Sequence, residues 1–360
     1  MPSVLYRQLQ KQLDQWSVGY PATISGVEIK LLKTLFTEKE AELFLYMSLS
    51  LEPPETICER AGKDPATTSA LLEQMAVKGL VFRHQKGTMM RYSAVPFVLG
   101  IYEYQVGRME KVLAQNFEEY FEEAYYKSVA GVTSLLRPIP VNRSIETDSR
   151  IATYDDAKEI LRKQNKIVVA QCICQVQQDL IGQSCEKPGE VCFIFGSAGQ
   201  YYIDNKMGRK ISLDEAVEVL KKSHEAGLVV QPAGAQNPGG MCNCCGDCCA
   251  ALRALKKFQK PAEMVSSNYF ATVNRFECNS CDLCTDRCQM EAIQVKDVAV
   301  IDLDRCIGCG LCVTTCPNEA IQLNPKNRDQ VAVPPETGLD VVLEIAKIRN
   351  MDLIPLKMRK

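Results

Sequence analysis

Two cysteine runs, close together, dictate how the last third of this 360-residue chain can fold: Cys278-x2-Cys281-x2-Cys284-x3-Cys288, then Cys306-x2-Cys309-x2-Cys312-x3-Cys316-Pro317. Three closely spaced thiolates cup three irons of a cube while the intervening backbone N–H groups point at its sulfurs, and the fourth iron is reached by the remote cysteine of the other run. By this crossover, Cys278, Cys281, Cys284 and Cys316 are expected to hold one [4Fe–4S] cluster, and Cys306, Cys309, Cys312 and Cys288 a second. Zinc would also accept four thiolates per ion, but the interlocked triplets speak against it. Each run is followed by Glu-Ala-Ile (Glu291-Ala292-Ile293, Glu319-Ala320-Ile321), so the segment is an internal repeat.

The chain holds 18 cysteines, one before residue 151 (Cys58) and nine between 151 and 270. A disulfide-stapled exported protein would be short and signal-led. Met1–Trp16 is polar and Gln-rich instead, and no apolar run approaches the roughly 18 residues of a membrane helix. A cytoplasmic protein of an anaerobe, with thiolates kept for iron, is the expectation. A net charge of −2 gives no general pull toward nucleic acid or membrane.

Composition shifts divide the chain into residues 1–135, 136–270, 271–325 and a tail, 326–360. The expected class is α+β and multidomain. In the first part, Thr37-x-x-Glu40 is a capping box, Glu55–Ala61 a short helix, and Asp64-Pro65 the start of a third helix that buries Leu71, Leu72, Met75 and Ala76 and stops at Gly79. Leu80–Arg83 and Met90–Ser93 around Lys86-Gly87 form a hairpin. Helices followed by a hairpin, over about 37–95, resemble a winged-helix module. A long helix is expected over Glu103–Lys127, its stripe of Val106, Met109, Leu113, Phe117, Tyr120 and Ala124 serving core or dimer packing rather than a cofactor. The presumptive recognition helix carries only Asp64, Glu73 and Lys78 as charges, too few cations for phosphate binding, so DNA is an unfavoured partner.

The middle region is expected to be a Cys-rich α/β domain. Ile167–Ala170 is a strand running into Cys172, and Ser212-x-x-Glu215 caps a helix ending at Gly227. Leu228–Val230 is a strand leading to the second cysteine group. Cys172, Cys174, Cys185, Cys192, Cys242, Cys244, Cys245, Cys248 and Cys249 are the candidate metal ligands. Adjacent cysteines rarely face one cluster, so Cys244/Cys245 and Cys248/Cys249 are expected to split between two sites. One or two further Fe–S clusters are expected here; zinc sites and a redox dithiol are the alternatives. Spacing does not pair the ligands.

Val273 to Leu323 resembles bacterial two-cluster ferredoxins, with two departures: Gln289 stands where proline usually follows the remote cysteine, and Asp282 where glycine is usual. Asp282 and Asp286 add negative charge, which predicts a lower potential for the first cluster. Residues 130–325 resemble a recurrent anaerobe arrangement, carried by Arg137-Pro138-Ile139-Pro140-Val141-Asn142, Cys172-Ile-Cys174, Cys185 and Cys192, Gly227-Leu228-Val229 and Cys242-Asn-Cys244-Cys245, with Gln175 where arginine is expected. That resemblance implies an iron–sulfur electron-transfer protein without implying a reaction.

No dinucleotide fingerprint and no Walker loop is present. The expected function is a multi-cluster electron carrier that passes low-potential electrons to or from a partner oxidoreductase or flavoprotein, with no catalytic residue assigned. A homodimer through the N-terminal helices is a second partner expectation. The alternatives are a redox-sensing transcription regulator and an oxidoreductase with an open-site cluster in the middle domain.

Overall fold

The computed structural model describes residues 2–128, 132, 135–140 and 152–359. Val141 and Asn142 of the sequence motif lie outside them.

The front end opens with α1 (Pro2–Asp14), α2 (Val27–Leu35) and α3 (Glu38–Phe44), and the Thr37–Glu40 capping box is formed in both directions. Then come α4 (Pro54–Ala61), α5 (Pro65–Val77, capped by Asp64) and the antiparallel hairpin of β1 (Phe82–Lys86) and β2 (Met89–Ser93). Leu72, Met75 and Ala76 point inward as their spacing requires. Arg83, the hairpin's first cation, is paired with Glu73 and donates to Asn205 at 3.1 Å.

The long helix expected over Glu103–Lys127 is broken. Residues Glu103–Gln105 form one 3₁₀ turn, Gly107 turns at φ +82, and α6 begins only at Lys111 and runs to Tyr120. Apolar periodicity continues across the break, but a left-handed glycine ends a helix whatever the side-chain pattern. A π-type turn, Phe121–Tyr125, and the short α7 (Tyr126–Ser128) follow.

The middle region holds α8 (Ala157–Arg162), β3 (Ile167–Gln171), α9 (Ile173–Leu180), β4 (Glu190–Phe195), α10 (Gly196–Asp204), β5 (Gly208–Ile211), α11 (Leu213–Glu225), β6 (Val229–Pro232), β7 (Gly240–Cys244) and α12 (Ala250–Lys256). Its strands form one sheet in the order β5-β3-β4-β7-β6, and every pairing is antiparallel. This corrects the α/β expectation. A parallel pair needs a crossover that carries the chain to the opposite end of the sheet. Here every hydrogen-bonded pair is antiparallel; β4, β5 and β6 run in one direction, and the α10 and α11 connections cross between the ends of the sheet, but none of these three strands neighbours another. Ser212 caps α11 by accepting from Glu215 N at 3.1 Å; Glu215 itself turns to Arg209 instead of closing the box.

The sheet is buried on both faces. Ile167, Val169, Phe193, Phe195 and Met241 pack with Ile160, Ala216 and Leu220 of α8 and α11. Val168, Ala170 and Ile194 face Tyr201, Tyr202 and the N-terminal helices. Arg137, 2% exposed, seals one edge: it pairs with Asp155 at 2.7 Å and donates to Tyr154 O at 2.8 Å, while residues 136 and 139 bridge to Ala233 and Val230.

In the last third, β8 (Tyr269–Val273) pairs with β11 (Ile321–Pro325), and β9 (Ile293–Val295) with β10 (Ala299–Ile301); α13 (Leu283–Arg287) lies between β8 and β9 in the chain. The tail helix α14 (Gly338–Ile348) returns to the front end: Val341 and Ile345 join its core, and Arg349 donates to Asp14 O and Ser17 O at 2.9 Å each. Among the described residues, no helix is long and apolar enough to cross a membrane.

Candidate metal centres

The eight terminal cysteines line two small cavities. Cys278, Cys281, Cys284 and Cys316 surround one, with Val295, Ala299 and Ile321; Cys288, Cys306, Cys309 and Cys312 surround the other, with Met290, Ile307 and Leu311. Each cavity is about 20 Å³. Backbone donors already aim at the sulfurs: Ala292 N at Cys288 Sγ (3.3 Å), Ala320 N at Cys316 Sγ (3.3 Å) and Ala299 N at Cys278 Sγ (3.4 Å). The repeat extends to the backbone. Ser280 (φ +58) and Asp282 (φ +65) adopt the left-handed conformation that Gly308 (φ +68) and Gly310 (φ +72) adopt in the second half. The first half therefore makes the same loop without glycine. Four thiols per cavity, with N–H groups turned inward, suit the donor set of a cubane.

The two cavities differ in setting. Cys281 is exposed, and Leu283, 46% exposed, lines the same cavity. In the other, burial pushes the Cys309 thiol up to about 12 and raises Cys312 as well.

The nine middle thiols come together in the structure, but as two groups. The antiparallel sheet explains the larger one. Cys172 follows β3; Cys192 opens β4 opposite Ala170; Cys242 and Cys244 close β7. Antiparallel pairing brings the end of β3, the start of β4 and the end of β7 to the same side of the sheet. Alternation with period two puts Cys242 and Cys244 on one face of β7, opposite to Met241. Cys174 lies in the first turn of α9, and Cys249 is the N-cap of α12. Each of these six thiols interacts with two others, in the closed order Cys172, Cys174, Cys249, Cys244, Cys242, Cys192 and back to Cys172.

This ring lies on the wall of a cavity of about 310 Å³, otherwise lined by aromatic side chains that include Phe97, Phe117, Tyr125 and Tyr202. Phe117 and Tyr120 of the α6 stripe, expected to serve packing alone, thus also wall the thiol site. Glu103 lines the cavity too, and burial pushes its carboxyl up to about 8. Glu118 of α6 fixes the two thiol-bearing helices from behind: it accepts from Gln177 (3.0 Å) and Gln178 (2.8 Å) of α9 and from Arg253 (3.0 Å) of α12.

The smaller group is Cys185, Cys245 and Cys248, whose sulfurs all lie within 4.8 Å of one another. Cys185 and Cys245 are 3.9 Å apart, Gln175 Nε2 stands 3.6 Å from Cys185 Sγ, and Lys187 reaches Asp247 at 2.6 Å. Contact with Cys248, helped by backbone donors, lowers the Cys245 thiol to about 5. Adjacent cysteines thus divide: Cys244 and Cys249 face the ring, Cys245 and Cys248 the triad. Cys58 takes no part, its Sγ lying 2.7 Å from Lys63 O.

Gln289 joins the middle thiols to the terminal ones. Its Oε1 accepts from Gly246 N at 2.6 Å, buried between the Cys245–Cys248 loop and Cys288. Around it, Cys242, Cys244 and Cys249 share one apolar cluster with Cys288, Cys306 and Cys309 through Leu252, Leu255, Ile307 and Leu311.

Comparison with protein families agrees with the donor set of the second half. Residues 299–322 match the 4Fe-4S binding domain. The match spans Cys306, Cys309, Cys312 and Cys316, and the rest of the chain lies outside it. No curated protein and no solved structure matches the chain at a significant level.

Proposed function

We propose that this chain is a multi-cluster iron–sulfur electron-transfer protein that exchanges low-potential electrons with a partner protein. Cys278, Cys281, Cys284 and Cys316 would hold one [4Fe–4S] cluster, Cys306, Cys309, Cys312 and Cys288 the other, and each would supply a one-electron store. The observation that carries this reading is the graded burial of a continuous thiol array: exposed at Cys281, enclosed at Cys309 and Cys312, and continuous through one apolar cluster with the middle thiols. The residues themselves fix where the sulfurs sit, turn N–H dipoles toward them and keep water from the inner site.

The exposed Leu283 beside Cys281 suits a docking partner, because an apolar surface next to an exposed ligand lets the partner approach closely. The N-terminal module is assigned to packing within the chain rather than to DNA. The Tyr201 hydroxyl lies 2.8 Å from Ala76 O at the end of α5, and Arg83 is already engaged by Glu73.

The test is reduction of anaerobically purified protein followed by EPR. Two interacting low-potential cubane signals are expected, with Cys281→Ser perturbing one and Cys309→Ser the other. Reduced protein without a cubane signal would refute the reading.

A further inference from the structure

The middle cavity is too large, and its thiols too many, for the kind of centre held twice in the last third. The two terminal sites provide an internal ruler: four thiols and about 20 Å³ each, against about 310 Å³ walled by the six ring thiols and by Cys248 of the triad. A cubane takes one thiolate on each of four irons. A single zinc-like ion takes at most four, and tetrahedral Zn–S bonds of about 2.3 Å draw those sulfurs to about 3.8 Å from one another. Among the described residues, the three thiols whose sulfurs all lie within 4.8 Å of one another are the triad, not any three of the ring. The ring sulfurs are instead spread around a hollow. They come from five places in the fold (the end of β3, α9, β4, β7 and α12), with Cys242 and Cys244 sharing one face of β7.

Charge leads to the same conclusion. Six thiolates in an aromatic-walled cavity would be intolerable without an equal countercharge inside it. Among the described residues, the one cation in the lining is Arg253, already bound to Glu118. Without metal these buried thiols stay largely protonated, so their use as thiolates requires the countercharge to come from metal.

We propose that Cys172, Cys174, Cys192, Cys242, Cys244 and Cys249 together hold one iron–sulfur centre of more than four irons, and that Cys185, Cys245 and Cys248 stand outside it. This rests on the iron–sulfur reading given above and extends it to a centre of a different kind. Loading takes ferrous iron and hydrosulfide from solution and builds the all-ferrous state with no change of oxidation number; each ligating thiol and each bridging hydrosulfide releases one proton to solvent as its Fe–S bonds form.

The experiment is anaerobic loading of the full chain with ⁵⁷Fe(II) and sulfide, desalting, then counts of iron and acid-labile sulfide together with Mössbauer spectra. The terminal octet accounts for about 8 irons. The proposal expects at least about 14 per chain on one iron per ring thiolate, with the excess iron in a single spectral component. Cys192→Ser and Cys249→Ser, on opposite sides of the ring, should each abolish that component while the octet's signal persists as the control for folding. Cys185→Ser should leave it intact. A count of about 12, with two of the six cysteines dispensable, would mean an ordinary cubane and would overturn the proposal, leaving the rest of the cavity to a small-molecule substrate. About 8 irons, or zinc in the ring, would overturn it while sparing the electron-transfer reading. Fewer than 8 would remove both.

Discussion

Substitution of Gly246 tests whether the middle thiols are held rigidly against the terminal ones. A Cβ at this position would sit 2.6 Å from Gln289 O and 3.2 Å from its Oε1. An ordinary carbon–oxygen contact is about 3.5 Å, so the Cys245–Cys248 loop must retreat by nearly 1 Å. Overpacking of this kind costs about 1–3 kcal/mol. Retreat also breaks the buried 2.6 Å bond from Gly246 N to Gln289, and an orphaned buried N–H costs about 1–3 kcal/mol more. Gly246→Ala should therefore destabilise the docked loop by about 3 kcal/mol, and Gln289→Ala, which removes only the acceptor, by about 1–2 kcal/mol. Bound centres make unfolding depart from two-state behaviour, so the suitable readout is the half-life of visible absorption at fixed urea under anaerobic conditions. If the loss falls wholly on the unfolding barrier, about 3 kcal/mol shortens that half-life by roughly 100-fold. Gly239→Ala, where an added Cβ meets nothing within 4 Å, is the control. A Gly246→Ala half-life within twofold of that control would refute the argument.

Three further outcomes are expected. Glu118→Ala removes the shared acceptor of Gln177, Gln178 and Arg253, leaving Arg253 its 3.4 Å contact with Glu122, and should destabilise by about 1–3 kcal/mol through the orphaned donors. It should bleach the middle centre before the terminal ones, and parallel bleaching would count against it. Asp282→Gly relieves a left-handed aspartate, worth about 1 kcal/mol, and removes an exposed carboxylate, so stability and the potential of the Cys278 cluster should both rise in a redox titration; a lower potential would refute the charge argument. Glu103 is held protonated up to about pH 8, above its usual value, so its contribution is complete below about pH 4.5 and is lost as pH rises toward 8, by at most about 1.4 kcal/mol per unit. The half-life of visible absorption at fixed urea should shorten from pH 6 to pH 8 for the native chain and less so for Glu103→Gln, and equal shortening would contradict the burial of that carboxyl.

Much of this was legible in the residues. The two cysteine runs name their own cavities because the repeat is local and its ligands are fixed by spacing. Thr37, Asp64 and Ser212 mark helix starts through caps that act within three residues. The middle thiols resisted because their partners depend on strand register, which local sequence does not display. One signal was available: Cys242-Asn-Cys244 on a strand must present both thiols on one face. The broken helix at Gly107 and the return of α14 to α1 were hidden for opposite reasons. Periodicity ran through a turn in the first case. In the second, the contact between Arg349 and Asp14 joins residues at the two ends of the chain. Gln289, visible as an oddity in a repeat that otherwise favours proline, acquires a physical reason only once Gly246 is seen beside it.

The most direct measurement is metal and sulfide analysis of the chain isolated without air. Brown protein with at least about 8 irons and a matching amount of labile sulfide per chain is the predicted result. Colourless protein, or zinc bound by the Cys278 and Cys306 sets, would contradict the account.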